Sequence, residues 1–198
     1  MKTDQVISQF LLASSATPVQ QTKGAVHTTI NQTARKNTVH SAVLLPIVSV
    51  HDRAHLLFCK RSKILNSHPS QICFPGGKVE QQDANIINTA LRETKEEIGL
   101  SVTESQVLGT LPLLSTLTGY QITPVVAKVH QHAKWLGQSA EVQHTFVLPL
   151  KQLKAQQNWQ TFNFIHRGES VSLEGFMTPH GLLWGATAKI VKQFIQLV

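Results

Sequence analysis

A glycine pair and a cluster of glutamates are the residues of this sequence best suited to chemistry. Glu93, Glu96 and Glu97 stand at helical spacing, and Gly76-Gly77 precede them in the chain. Clustered carboxylate oxygens are the ligands that hard divalent cations such as Mg²⁺ and Mn²⁺ prefer. Two glycines let the backbone turn sharply and approach a ligand, so a Gly77 carbonyl is available to the same cation. These residues predict a metal site between a glycine turn and a helix.

The helix that must carry the glutamates is predicted from residue 84 to residue 98, with Gly99 ending it. At 100° per residue the glutamates fall nearly opposite a narrow stripe that we expect to pack on a sheet. That stripe consists of Ile87, Leu91, Thr94 and Ile98. Like charges at these spacings cost about 0.2–0.5 kcal/mol each, and the helix dipole disfavours anions in the last turn. Arg92 neutralises only part of the cluster, so a cation is expected; a solvated acidic helix face is the alternative.

The elements around this segment predict an α/β fold in which a mixed sheet lies between helices. Strands are predicted at 40–50 and 55–62, joined as a hairpin through His51-Asp52-Arg53, and Pro46 is expected to mark a bulge or an end. Further strands are predicted around 106–117, 121–130, 144–149, 160–166 and 171–177. A last helix is predicted from about Leu183, with an apolar stripe of Leu183, Ile190, Phe194 and Leu197.

The N-terminal segment is predicted to be an amphipathic helix followed by a loose arm. Val6, Ile7, Phe10 and Leu11 stand at helical spacing, and polar residues interrupt the stretch, which argues against a secretion signal. Residues 14–38 are rich in Ser, Thr, Gln and Asn and have no apolar period. We therefore expect residues 1–38 to form a helix and an arm, and residues 39–198 to form the catalytic domain.

Composition narrows the classes of function. The chain of 198 residues is 41% hydrophobic and 15% charged, enough for one folded core, and no apolar run is long enough to span a bilayer. Its net charge of +7 comes from scattered Lys and Arg residues, which fits a small polyanion better than a nucleic acid. Cys59 and Cys73 are expected to be buried thiols, which fits a reducing cytoplasm. His130 and His132 lack a third ligand, so no zinc site is expected.

The segment from Phe74 to Leu100 resembles the signature of the Nudix hydrolases: Gly, five residues, Glu, seven residues, then Arg-Glu-apolar-any-Glu-Glu-any-Gly-apolar. Three departures stand out. Asp83 occupies the first acidic position, with Glu80 as a rival; eight residues separate Asp83 from Arg92; and Thr94 takes the apolar place. The resemblance implies hydrolysis of a phosphate anhydride with Mg²⁺ or Mn²⁺ as cofactor.

The resemblance also implies roles for individual residues. Glu93 and Glu97 hold the metal, with Glu96 as a further ligand and the Gly77 carbonyl nearby. Either Glu96 or Glu141 takes the proton of the attacking water, and Glu141 is alternatively a late metal ligand. Arg92 orients the glutamates by charge-assisted hydrogen bonds.

The substrate contacts are expected at residues 61, 76 and 78. Arg61 and Lys78 are candidates for contacts with the substrate phosphates, with Gly76 beside them. For each of the two cations, a solvated surface charge is the alternative.

Within the family, residues 39–198 look like the coenzyme A pyrophosphatase branch. Leu57, Arg61, Ser62 and Phe74 to Gly77 match its upstream pattern, whereas Phe58, Cys59, Asn66 and Ser70 replace Leu, Thr, Arg and Gly. Downstream, the matches are Thr118-Gly119-Tyr120, Thr123-Pro124-Val125, Glu141-Val142, Pro149-Leu150 and the run from Trp184 to Ala188. The implied products are 4′-phosphopantetheine and 3′,5′-ADP.

Three other functions stay open. The first is a Nudix pyrophosphatase for NADH, ADP-ribose or a dinucleoside polyphosphate. The second is a catalytically silent domain that binds a nucleotide and regulates another protein; the presence of Glu93, Glu96 and Glu97 argues against it. A nucleic-acid-binding module ranks last. We expect a small-molecule partner and no nucleic acid or membrane partner, while the sequence leaves the oligomeric state open, a homodimer being one form to test.

Overall fold

The computed structural model describes residues 1–16, 38–65, 67–130, 133–135, 139–166 and 169–198. Strand β1 (Val39–Val50) lies at the centre of the fold. It is antiparallel to β2 (Arg53–Arg61) and parallel to β7 (Tyr120–Lys128). Leu44 and Leu45 point to opposite faces of the sheet, and both are fully buried. The almost wholly apolar β1 is therefore covered on both sides, as a run of this kind predicts.

The main sheet has eight strands and is mixed. Its other members are β3 (Ile72–Cys73), β4 (Gly76–Lys78), β5 (Val107–Thr110), β6 (Leu114–Ser115) and β8 (Val142–Pro149). β4 pairs with β1, β3 and β8 pair with β2, and β5 and β6 pair with β7. A second, antiparallel sheet consists of β9 (Trp159–His166), β10 (Glu169–Thr178) and β11 (Gly181–Leu183).

Helices cover both faces of the main sheet. Helix α2 (Ile86–Ile98) packs on one face through Ala90 and Ile98. Helices α1 (Thr3–Ala16), α3 (Leu150–Lys154) and α4 (Gly185–Ile195) pack on the other face, where Phe10 contacts Phe194. Two turns of 3₁₀-helix, at Glu104–Gln106 and Gln156–Asn158, complete the elements. The predicted α/β/α sandwich with a mixed sheet is confirmed.

The predicted hairpin is also confirmed. Val50 pairs with Arg53, so only His51 and Asp52 connect β1 and β2. Both have positive φ, 48° and 60°, as a type I′ turn requires. This turn has the twist of the strands on either side and therefore fixes their register.

The prediction that Pro46 marks a bulge or an end of the strand is wrong, because β1 runs through it. On one edge β1 pairs with β4 at Ser41–Val43 and with β2 only from Ile47 onward. Pro46 lies at the point where the partner of β1 on that edge changes from β4 to β2. A residue without a backbone N–H costs little there. The change opens a gap between β1 and β2, and the segment Phe74–Gly77 enters the sheet there.

Several predicted boundaries need correction. The stretch 106–117 is not one strand: β5 and β6 are separate, and a register shift lies between Val107 and Gly109. Gly76-Gly77 belong to strand β4 and do not form a sharp turn. The last helix begins at Gly185, and Leu183 belongs to β11.

The N-terminal helix is part of the packed structure and extends to Ala16. Val6 and Phe10 are fully buried, and the Thr3 N–H donates to the Asp52 carbonyl at 3.1 Å. Residues 17–37, to which most of the predicted arm belongs, lie outside the described residues. None of the helices in the described ranges is long and apolar enough to cross a membrane.

Candidate active site

Helix α2 is fixed at both ends by its sequence. The Asn85 side chain accepts hydrogen bonds from the N–H groups of Ile87 and Asn88, at 2.9 and 3.0 Å. Gly99 is left-handed, with φ 68°, and its N–H donates to the Lys95 carbonyl. The predicted end of the helix is confirmed, and the glutamates lie in its last two turns.

The predicted apolar stripe of this helix is confirmed, but the predicted position of Glu97 is wrong. Thr94 and Ile98 are buried, and the half-buried Ile87 and Leu91 pack against the same cluster. The buried face also includes Glu97. Glu97 lies two turns after Ala90 and therefore on the same face. It is only 6% exposed, whereas the side chain of Glu96 is 58% exposed. The three carboxylates thus do not share one solvated face, and one of them points into the protein.

Gly76 explains how a carboxylate fits there. Its N–H donates a 3.1 Å hydrogen bond to Glu97 Oε2, and a side chain at residue 76 would overlap the backbone of Ala42. Burial raises the pKa of Glu97 to about 7, although the Gly76 hydrogen bond and the Arg61 charge act in the opposite direction. The Glu97 carboxylate is therefore held in place and largely removed from water, so a nearby positive charge would stabilise its ionised form.

Gly77 makes the equivalent space for Glu93. A Cβ on Gly77 would overlap both carboxylate oxygens of Glu93, so the carboxylate occupies the place of a side chain. Burial raises the pKa of Glu93 as well, with Arg92 opposing the shift. Glu93 and Glu97, one helical turn apart, thus line the same glycine strand.

The chemistry of these donors fits a divalent metal ion. Two desolvated carboxylates with raised pKa values are stabilised by a cation, and Mg²⁺ in proteins is commonly held by one or two carboxylates together with water and substrate phosphates. Within the described residues, no three Asp, Glu, His or Cys side chains converge on a common point. Glu93 and Glu97 would hold the ion beside the glycine strand.

Arg92 has a different first partner from the predicted one. Its Nε and one terminal nitrogen donate to the two oxygens of Asp83, at 2.8 and 3.0 Å. The other terminal nitrogen lies 3.1 Å from both Glu93 and Glu96. Arg92 also donates to the Lys78 carbonyl at 3.1 Å. It therefore joins the glycine strand, the loop after it and the helix, and it touches the glutamates from one side.

Asp83, at the first acidic position of the pattern, supports Arg92. Its side chain is 3% exposed, and it accepts hydrogen bonds from Thr89 Oγ1 and from the Glu80 N–H, each at 2.9 Å. The hydrogen bonds from Arg92 hold the pKa of Asp83 well below its usual range. Its rival Glu80 is 51% exposed and lies 3.9 Å from Arg92.

Arg61 and Glu141 meet on the other side of Glu97. The pairing of β2 with β8 shifts register between Lys60 and Arg61, and Arg61 NH2 lies 3.7 Å from Glu141 Oε2. The charges of both residues affect the pKa of Glu97. Two candidates that are distant in sequence are thus brought near Glu97 of α2, with opposite charges facing each other.

The structure gives fewer contacts for the remaining candidates. The Lys78 side chain is exposed at the end of β4, and the backbone N–H of Gly76 is used by Glu97. Among the histidines near the glycine strand in sequence, His68 is exposed and contacts Gln71 at 3.0 Å. His130 is exposed, and His132 lies outside the described residues.

Sequence reasoning missed two features of the site. Thr89 buttresses Asp83, and a Thr inside a helix gives no signal for such a contact. Cys59 and Cys73 lie opposite each other across β2 and β3, near Glu97. Burial raises the pKa of Cys73 to about 12, so it stays a neutral thiol. Their pairing depends on strand register, which spacing along the chain does not reveal.

A concavity of about 640 Å³ lies along α2 and borders the Asp83–Arg92 ion pair. It is also lined by Asn88 and Glu104 but includes neither Glu93 nor Glu97. Its two acidic lining residues already have partners, Asp83 with Arg92 and Glu104 with Asn88, so we assign the chemistry to the glycine strand.

Comparison with known proteins identifies the family and the fold. The sequence model of the NUDIX domain matches residues 38–196. The uncharacterized Nudix hydrolase NudL of Photorhabdus laumondii is 36% identical over 162 residues, which are 82% of this chain and 86% of the relative. NudL of Yersinia enterocolitica is also 36% identical, over 82% of this chain and 83% of its own. A solved Nudix hydrolase from Alicyclobacillus acidocaldarius shares the fold, with a TM-score of 0.54, 15% identity, and coverage of 81% of this chain and 92% of that one.

Proposed function

We propose that this chain, which belongs to the Nudix hydrolase family, hydrolyses the diphosphate bond of coenzyme A or its derivatives. The products are 3′,5′-ADP and 4′-phosphopantetheine. The observation that carries the hydrolytic part is the pair of desolvated carboxylates, Glu93 and Glu97, held against the glycine strand. Their raised pKa values favour a bound cation, and a diphosphate is the substrate that such a cation neutralises.

The residues divide the work as follows. Glu93 and Glu97 would hold Mg²⁺ or Mn²⁺, with Glu96 and the Gly77 carbonyl as further ligands. When bound, such an ion would supply positive charge to the diphosphate oxygens and lower the pKa of water. Arg92, held by Asp83, keeps Glu93 in place. Arg61 and Lys78 contact the substrate phosphates beside Gly76.

Either Glu96 or Glu141 accepts the proton of the attacking water. Glu96 lies 3.1 Å from Arg92, and Glu141 lies 3.7 Å from Arg61. Glu96 accepts a hydrogen bond from Arg92, whereas Glu141 makes only the longer ion pair and is freer to turn toward a water, which favours Glu141 for this role. Glu141→Gln is then expected to reduce kcat more than Glu96→Gln, and the opposite order would assign the base to Glu96.

The choice of coenzyme A is supported by the segment before the glycine strand. Ser70 replaces the glycine of the coenzyme A pattern but keeps a positive φ of 58°, the conformation that glycine adopts readily. The substitution is therefore compatible with the same loop path.

One substitution supports a different substrate of the same class. Asn66 stands where the coenzyme A pattern has Arg, and it lies outside the described residues. The loss of that cation favours NADH, ADP-ribose or a dinucleoside polyphosphate as the alternative.

A cytoplasmic location is part of the proposal and is supported by the two free, opposed thiols of Cys59 and Cys73.

The experiment is product analysis with the purified chain and Mg²⁺ or Mn²⁺. Coenzyme A, NADH, ADP-ribose and a dinucleoside polyphosphate are incubated separately, with Glu97→Gln as the inactive control. Metal-dependent release of 3′,5′-ADP, with coenzyme A preferred, is the expected result. Cleavage of another compound but not of coenzyme A would keep the chemistry and change the substrate. No cleavage of any of the four would contradict the proposal.

A further inference from the structure

The contact between Arg61 and Glu141 is built by an irregularity in the sheet. Up to Lys60, which pairs with His144, β2 and β8 run in regular register; Arg61 then pairs with Val142. A bulge of this kind turns a side chain away from its regular direction and is common beside active sites. The Ser62 N–H donates to the Glu141 carbonyl at 2.7 Å, so the backbone of Glu141 is held while its side chain remains 56% exposed.

The guanidinium of Arg61 is incompletely satisfied in this arrangement. Its Nε is buried and has no hydrogen-bond acceptor among the described residues. Its contact with Glu141, at 3.7 Å, is an ion pair without hydrogen-bond geometry. A buried N–H without an acceptor costs free energy, and an arginine presents Nε and one terminal nitrogen together as a fork.

We propose that a phosphate group of the substrate replaces Glu141 at Arg61, so that Arg61 positions Glu141 in the free protein and releases it when substrate binds. A phosphate offers two oxygens to the fork and gives the buried Nε an acceptor, which the distant carboxylate does not. Glu141 keeps its backbone contact with Ser62, so only its side chain has to move. The released carboxylate is then available beside Glu97 for the role given to it above.

This inference rests on the proposed function for its substrate class. What it adds is that two anions, the substrate phosphate and Glu141, compete for Arg61. The competing interpretation is that Arg61 is a structural cross-link between β2 and β8. In that case a phosphate ligand and Glu141 bind independently of each other. A double-mutant cycle separates the two interpretations because it measures only the interaction between the two sites.

The experiment measures the Kd of ADP by calorimetry in metal-free buffer containing a chelator. The proteins are the unaltered chain, Glu141→Gln, Arg61→Gln and the double variant. Glu141→Gln is expected to tighten ADP binding about threefold or more, because the competitor is gone. Arg61→Gln is expected to weaken it by a similar factor. In the Arg61→Gln background the effect of Glu141→Gln should disappear.

Two further variants serve as controls for this experiment. Glu96→Gln removes an equal charge on α2 and measures the effect of charge alone, so its change in Kd should be the same in the unaltered chain and in the Arg61→Gln background. Should Arg61→Gln fail to fold by circular dichroism, Arg61→Lys keeps the charge and loses the fork. It is expected to bind ADP more weakly and to respond less to Glu141→Gln.

Equal effects of Glu141→Gln in both backgrounds would overturn the proposal, as would the absence of ADP binding to both the unaltered chain and Glu141→Gln. Failure of the proposed function is a separate result, since the product analysis uses the unaltered chain with metal. If the unaltered chain cleaves none of the four compounds but the double-mutant cycle shows the predicted coupling, the competition at Arg61 is supported and the proposed reaction is not.

Discussion

The carboxylate of Glu93 occupies the space in which a side chain at Gly77 would lie. An alanine at residue 77 must therefore displace Glu93. We expect Gly77→Ala to lower kcat roughly tenfold or more, because Glu93, the proposed metal ligand, would move by about 1 Å and no longer hold the reacting groups in place. Steady-state kinetics at saturating Mg²⁺ measures the effect.

Gly185→Ala is the control for Gly77→Ala. Gly185 has φ 64° and no atom within 4 Å of an added Cβ, so alanine there costs only backbone strain, about 1 kcal/mol. It should lower the free energy of unfolding and leave kcat near that of the unaltered chain. A Gly77→Ala protein with unchanged kcat would mean that Glu93 is not placed by the glycine strand.

Asp83→Asn is expected to lower the free energy of unfolding by about 2 kcal/mol, because it replaces charge-assisted hydrogen bonds of Arg92 by weaker ones. Glu80→Gln removes the same charge at 3.9 Å from Arg92 and should cost less than about 0.5 kcal/mol. Urea unfolding at pH 7 compares the two. Equal costs would show that the buried contacts of Asp83 add nothing to the long-range charge.

The same pair gives a dependence on pH. Since the pKa of Asp83 is lower in the folded than in the unfolded chain, its stabilisation is full above about pH 4 and is lost as pH falls through the folded pKa. The Asp83→Asn protein should lose less stability than the unaltered chain over that acid range. A parallel loss in both proteins would contradict the assignment.

Glu97→Gln is expected to abolish turnover and leave the fold intact, because the amide removes a proposed metal ligand while it still accepts the hydrogen bond from Gly76. Its effect on stability has the opposite sign from that of Asp83→Asn. The pKa of Glu97 rises on folding to about 7, so metal-free protein loses stability as pH rises from about 4.5 through 7. The Gln variant lacks this loss and should be more stable at pH 8, by up to about 3 kcal/mol.

Unfolding in chelator at pH 5 and pH 8 tests that prediction. Added Mg²⁺ should stabilise the unaltered chain at pH 8 and have little effect on Glu97→Gln. A variant that stays fully active would remove Glu97 from the metal site.

Two buried threonines of α2 provide a matched pair. Thr94 donates within the helix, to the Ala90 carbonyl at 2.7 Å, whereas Thr89 donates to Asp83. Thr94→Val is therefore expected to change the free energy of unfolding by less than about 1 kcal/mol, and Thr89→Val to lower it by about 1–2 kcal/mol. Thermal unfolding of both proteins measures the difference, and a larger cost at Thr94 would contradict it.

Ser70→Gly is expected to stabilise the loop between β2 and β3. At φ 58° a serine is strained, and glycine relieves that strain at some cost in the entropy of the unfolded chain, for a net gain of about 0.5 kcal/mol. Urea unfolding measures the gain. Ser101→Gly is the control: Ser101 is exposed and its φ is not positive, so glycine there should destabilise. A destabilised Ser70→Gly protein would contradict the left-handed conformation.

The local signals of the sequence predicted the elements better than the position of Glu97 on α2. Gly99 and the polar pair His51-Asp52 ended their elements as expected, because caps and tight turns depend on the residues beside them. The apolar stripe places the correct face of α2 on the sheet. It does not show that this face also holds Glu97, because the room for that carboxylate comes from the glycines of β4.

The contacts that assemble the rest of the site depend on register between distant strands. Arg61 meets Glu141 only because β2 pairs with β8 and shifts by one residue there. The strands β3 and β6 have two residues each, too few for a period to be visible. Resemblance to a family identified residues such as Glu141 whose position no local pattern reveals.

The parallel ladder between β1 and β7 has a consequence for how the chain folds. Val39 pairs with Tyr120 and Ile47 with Lys128, so the ladder closes a long loop that contains Phe74 to Leu100 entire. Contacts between residues so far apart in the chain form slowly, whereas the entropy of closing a loop grows only with the logarithm of its length. Residues inserted in the exposed turn after β4 should therefore slow the closure of the central sheet very little, while a weakened β1–β7 pairing delays the whole site.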